Sequence, residues 1–135
     1  MSWIIVAAVL VAGILSSFTD WYFFGVLHHD RYQRYPETWW PRAGNETMPI
    51  LYSTALGFIT AAAVIALSAM AGVDGILSGI KVGLLCWLAG SFVQVATTQL
   101  FVRIDLRVGV AHMLGYLARF LIAGVAAGIA LPMLG

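Results

Sequence analysis

Charge is what this sequence has least of. Six acidic and seven basic side chains make up 10% of its 135 residues, where a soluble domain carries about a quarter. Apolar residues account for 61% of the chain, and mean hydropathy is +0.93. That balance excludes an ordinary soluble domain, a disordered segment and a collagen-like fibre. A net charge of +1 supplies no basic field, so no nucleic-acid partner is expected. Cysteine is nearly absent as well. The one thiol, Cys86, sits among Leu84, Leu85 and Leu88, which excludes a disulfide framework and a thiolate metal cluster and reads as packing. Missing too are a G-x-S-x-G elbow, an H-E-x-x-H zinc motif and paired Glu-x-x-His ligands. No catalytic residue and no cofactor is expected.

What is present is apolar runs long enough to cross a bilayer, which takes about 20 residues of helix. They predict four helices, spanning residues 2–27, 47–72, 75–102 and 108–134. The expected fold is therefore all-α: one domain of residues 1–135, an integral membrane four-helix bundle with a short interfacial segment between helices one and two. Pro132 is expected to fray the last turn. The start does not read as a cleaved signal peptide, since no positive n-region precedes the apolar stretch.

The connections differ in kind. Gly72-Val73-Asp74-Gly75 offers a terminating glycine and an Asp cap, and Asp105 is the expected cap of the fourth helix. Links this short predict that helices two, three and four are antiparallel neighbours. The segment from His28 to Glu46 is long and rich in Arg, Tyr and Trp, as suits the headgroup region. Pro36 and Pro41 divide it into a helical extension through Tyr35 and an interfacial turn bearing Trp39 and Trp40. Thr47, ahead of Pro49, reads as the cap of the second helix. Asn45-Glu46-Thr47 matches a glycosylation acceptor but lies against the membrane and is read as chance. Arg31, Arg34, Arg42, Arg103 and Arg107 all fall at one end, with only Lys81 near the other. The positive-inside rule then makes this a multi-pass protein with loop 28–46 cytoplasmic and both termini outside. Lys81 is expected to snorkel to the outer interface.

Few polar residues remain within the spans, and they share one half of the membrane. Arg119 lies about 16 Å along the fourth helix, and Asp20 about 10–12 Å from the end of the first. Intramembrane charges pair or serve function, and these two are opposite in sign and similar in depth. His112, Tyr116 and Arg119 stand at i, i+4 and i+7, on one helical face. Gly90, Gln94, Thr97 and Thr98 share a face of the third helix, and Tyr52, Ser53 and Thr60 lie at comparable depth on the second. Asp20, Gln94, Thr98, His112, Tyr116 and Arg119 thus form a candidate polar pocket, open to the cytoplasm and closed outward by apolar packing. Each member also has a plainer role, as a structural ion pair or as hydrogen-bonding glue between helices. A direct and fully satisfied Asp20–Arg119 pair would favour that role. His28, His29 and Asp30 together with His112 are the candidates for a metal, although adjacent helical residues point about 100° apart. Ser53-x-x-x-Gly57-x-x-x-Ala61, Gly79-x-x-x-Gly83 and Gly124-x-x-x-Gly128 allow close helix approach, within the bundle or between copies.

One stretch carries a resemblance. Trp21-Tyr22-Phe23-Phe24-Gly25 runs into His28-His29-Asp30-Arg31-Tyr32 and then Tyr35-Pro36-Glu37-Thr38-Trp39. With Leu85-Cys86-Trp87-Leu88-Ala89-Gly90 and His112-Met113-Leu114-Gly115-Tyr116-Leu117, it resembles the DUF1761 family of small four-helix membrane proteins. The resemblance implies the same four-helix fold and no activity, since that family has none assigned.

The leading expectation is a non-enzymatic membrane protein whose pocket binds or passes a small polar molecule or ion. Its partners would be the bilayer, that ligand and, as the exposed helix faces allow, further copies of itself. The competing expectations are a membrane enzyme or metal protein using the interfacial histidines, and a structural or accessory subunit.

Overall fold

A computed structural model describes residues 2–27, 34–39 and 47–135. The described residues are helical apart from short connections, and four helices are long and apolar enough to span a membrane. The first span, Trp3–Leu27, comprises α1 (Trp3–Asp20) and a π-helical stretch, Trp21–Leu27. The second is α2 (Thr47–Met70). The third joins α3 (Ile76–Trp87), a π-helical turn at Leu88–Phe92 and α4 (Val93–Phe101). The fourth is α5 (Leu106–Ala130), after which Pro132 opens a 3-10 turn, Pro132–Leu134. That proline has no N–H to continue the helix.

Local chemistry accounts for the ends. The Ser2 hydroxyl accepts the Ile4 N–H at 3.2 Å, and the Asp105 carboxylate accepts that of Arg107 at 2.8 Å, satisfying donors left over at helix starts. The expected Asp74 cap needs correction. Gly75 occupies the cap position, and Ser78 reaches back to accept the Asp74 and Gly75 N–H groups at 3.3 and 3.2 Å. Asp74 serves instead as the acceptor for the Ser78 hydroxyl, at 2.9 Å. Gly72, at φ 69°, turns the chain after α2. α2 is described from Thr47 onward, so the expected cap there stands at the edge of the described residues.

The core is built from small residues. Ala12, Ala61, Val64 and Ala123 form its centre, with Val9, Phe120, Ile122 and Ala126 packed around them. Large side chains such as Leu10, Ile14, Phe18, Leu56, Ile59, Leu77, Leu85 and Leu100 point outward. In water this arrangement would be inverted. In lipid, apolar side chains gain nothing by leaving their surroundings, so close approach of backbones decides which faces meet.

α5 is the hub, packing against α1, α2 and α3. Gly79 and Gly83 of α3 lie against Gly124 and Gly128 of α5. A β-carbon on Gly83 would stand 2.5 Å from the Phe120 carbonyl oxygen, and one on Gly128 would stand 2.6 Å from the Ile76 Cα. Two of the small-residue patterns are therefore spent inside the bundle. Gly57 and Ala61 of the third are buried as well, whereas Ser53 is exposed. The expected series of neighbours changes accordingly. Despite their short link, α2 and α3 touch little, because each has a better partner in α5.

Candidate intramembrane site

The first and third connections meet at one end of the bundle. The Arg34 guanidinium donates to Asp105 at 2.9 Å, and the Thr38 hydroxyl donates to the Arg103 carbonyl at 2.7 Å. The Arg103 guanidinium lies over the Tyr35 ring, 4.7 Å from its centroid. The Asp105 carboxylate holds the exposed Arg34 above the ordinary guanidinium pKa. Asp105 thus caps α5 and anchors the connection in one step. Arg34 and Tyr35 are bent rather than helical, and Pro36–Thr38 forms a 3-10 turn. The expected helical extension through Tyr35 is corrected here: Tyr35 is drawn onto Arg103, and a residue before proline disfavours helical geometry.

Above this end, within the spans, Arg119 bonds directly to Asp20 through Nη2 and Oδ2. Asp20 is 8% exposed and Arg119 7%. The pair is direct but incompletely satisfied. Asp20 Oδ1 and Arg119 Nε are buried with no hydrogen-bond partner among the described residues. Ser16, one turn before Asp20 on the same face, buries a hydroxyl that is likewise unpartnered. The Tyr116 ring lies 5.2 Å from the guanidinium carbon, a cation–π contact that spreads some of the charge.

Beside Arg119 opens a cavity of about 420 Å³, lined among others by Ser91, Gln94, Thr98, His112, Tyr116 and Arg119. Five of the six expected pocket residues border it. The sixth, Asp20, stands behind Arg119 and does not line the space. Thr60 of α2, Gln99 of α4 and Trp39 of the first connection complete the polar and aromatic rim. The walls diverge because α2 and the third span make little contact, which leaves Gln94 and Thr98 exposed.

Both π-helical stretches abut the same segment of α5. Phe24 of the first stretch stacks on His112 at 4.7 Å between ring centroids and approaches Tyr116 at 6.2 Å. Immediately before the second, the Trp87 indole donates to the Met113 carbonyl at 3.0 Å, and Ser91 within it faces the cavity. Such irregular turns inside helices recur at functional sites, since they re-aim side chains without ending the helix.

Sequence reasoning did not single out Ser16, Ser91 or the stacking role of Phe24. Ser16 carried a signal, four residues before an intramembrane aspartate. The other two depend on π-helical register, which periodicity does not reveal. His28, His29 and Asp30 lie outside the described residues. Among the described residues no three His, Cys, Asp or Glu side chains converge as a metal site. Lys81 is exposed and Cys86 half-buried. No family model, curated protein or solved structure matches this chain.

Proposed function

We propose that this is a multi-pass membrane protein whose intramembrane cavity binds a small polar molecule or ion and gives it passage from the arginine-rich end. One observation carries the reading: a cavity of about 420 Å³ borders a buried arginine most of whose N–H donors are unspent. An arginine kept only for structure would be expected to spend its donors on carboxylate and carbonyl oxygens. The volume falls within the range of small-molecule pockets, about 300–1,000 Å³. In this reading the arginine-rich end is cytoplasmic and both termini are outside, supported by the bias of Arg34, Arg103 and Arg107. Membership of the DUF1761 family belongs to the same proposal and rests on the aromatic and glycine motifs.

The test is Thr98→Trp, which fills the cavity from an exposed position without disturbing the packed faces. Purified protein is screened by thermal unfolding against small carboxylates, inorganic phosphate, amines and alkali cations. At least one solute should stabilise the native chain and not the variant, since a ligand that binds only the folded state raises its stability. Equal responses of the two proteins to every solute would refute the reading.

The Asp20–Arg119 bond itself favours a second reading, a structural subunit in which the pair sets helix register. There Thr98→Trp would be without consequence, and exchanging the pair for apolar residues would leave function intact.

A further inference from the structure

Resting on that reading, the geometry points to the ligand class and to what accompanies it. We propose that the cavity takes an organic anion, and that each anion binds together with one proton, which Asp20 accepts.

Three observations converge. The charge bordering the cavity is the Arg119 guanidinium, while its counter-ion Asp20 lies behind it and out of contact with the space. A ligand in the cavity therefore meets donors. Guanidinium has five N–H groups and no acceptor, and the bond to Asp20 uses one of them. Gln94, Thr98 and Tyr116 add hydroxyl and amide groups on the same walls. The pair is also single-stranded, one N–H to one oxygen, with Nε and Oδ1 both left over. A bidentate carboxylate is the better partner for a guanidinium fork, so an arriving anion competes with Asp20 from the open side.

The proton follows from charge balance. Before binding, the buried pair is neutral. With an anion on Arg119 the site would hold two carboxylates and one cation, and a buried unpaired charge is too costly to persist. Among the described residues Asp20 has no second cation: Lys81 lies near the opposite end on an exposed face, and Arg34 is paired with Asp105. Asp20 therefore gives up its bond to Arg119 Nη2 and takes a proton from solution. The anion becomes the acceptor on Nη2, and the net charge of the site is unchanged. The only covalent change is the O–H bond formed on Asp20 as the proton leaves its water or buffer donor. Release reverses each step. Among the described residues the other titratable groups facing the site are His112 and Tyr116, both on α5. Among the described residues, α2, the π-helical turn Leu88–Phe92 and α4 contribute to the cavity only Thr60, Ser91, Gln94, Thr98, Gln99 and apolar side chains, and the first connection contributes Trp39.

The experiment uses the full chain in phosphatidylcholine nanodiscs, with benzoate as probe, at pH values well above those at which carboxylic acids ionise. Calorimetry in buffers of differing ionisation heat counts protons taken up per benzoate bound. One proton per benzoate is expected, with affinity about tenfold tighter for each unit of pH lowered. Asp20→Asn should bind benzoate with no proton uptake and no pH dependence. Failure of benzoate to bind overturns the proposal, and so does binding without proton uptake in the native chain. Neither result touches the pocket reading, which is decided by the solute screen on Thr98→Trp. Persistence of proton uptake in Asp20→Asn also overturns the proposal. The native measurement stands whether or not Asp20→Asn folds. Repeating it with phosphatidylglycerol in the nanodisc separates two sources of the same chemistry. If this lipid displaces benzoate the natural occupant is a headgroup phosphate, and if it does not the occupant is a soluble anion. Either outcome upholds the coupling.

Discussion

Replacing Asp20 and Arg119 by leucine, singly and together, tests the energetics on which the site depends. Removing one partner of a buried ion pair costs about 3–5 kcal/mol, because the survivor is left charged and desolvated. The two single losses should not be equal. Arg119 cannot shed its proton and keeps only the Tyr116 ring at 5.2 Å, so Asp20→Leu should lie at the upper end, about 4–5 kcal/mol. In Arg119→Leu the stranded Asp20 can neutralise itself by taking a proton, which limits the loss to about 2–4 kcal/mol. The double variant removes both charges and puts apolar groups where lipid and core already are. It should return to within about 1–2 kcal/mol of the native chain. The coupling energy is then at least about 4 kcal/mol, above the range of about 0.5–3 kcal/mol usual for contacting residues. Reversible unfolding in mixed micelles, titrated with a denaturing detergent, reads all four corners of the cycle. Additive single effects of under about 1 kcal/mol would show that the pair is hydrated or uncoupled, and the argument from burial would fail.

The packed faces make sharper demands. Gly79→Ala and Gly124→Ala each drive a methyl group into the backbone of the facing helix and should destabilise by about 1–3 kcal/mol. Gly90→Ala meets nothing within 4 Å and should be neutral or slightly stabilising, as the same unfolding assay would show. Asp105→Ala removes both the cap of α5 and the anchor of Arg34. Loss of the cap should cost about 1 kcal/mol, and amide hydrogen exchange across Pro36–Thr38 should rise while that of α3 does not.

Much of the fold could be anticipated because lipid leaves few alternatives. A chain crossing hydrocarbon must satisfy its own backbone hydrogen bonds, so four apolar runs become four helices whatever their neighbours. Their observed ends depart only slightly from those expected, as at the start of α3, where the Ser78 side chain takes up the Asp74 and Gly75 N–H groups. Depth could also be anticipated, because rise per residue is constant. Asp20 and Arg119 were placed at similar depth by counting alone, and they bond. Lateral order was less legible. Connection lengths suggested a sequential bundle, yet α5 packs against α1, α2 and α3, its Gly124 and Gly128 meeting the backbone at the start of α3. Hydropathy says nothing about which apolar face a helix prefers when all faces are apolar.

By itself, then, the sequence determined four helices long and apolar enough to cross a membrane, and the gathering of their few polar residues toward one end. These are properties of local composition and of helix geometry. Only the tertiary structure decided that Asp20 stands behind Arg119 rather than beside it in the cavity, that one hydrogen bond joins them, and that Nε and Oδ1 are left over. Those facts depend on how helices rotate about their axes, and rotation is set by the fit of glycines, serines and π-helical turns between neighbouring backbones. Scarce charge marked where to look; the packing of α1 on α5 determined which charge faces the cavity.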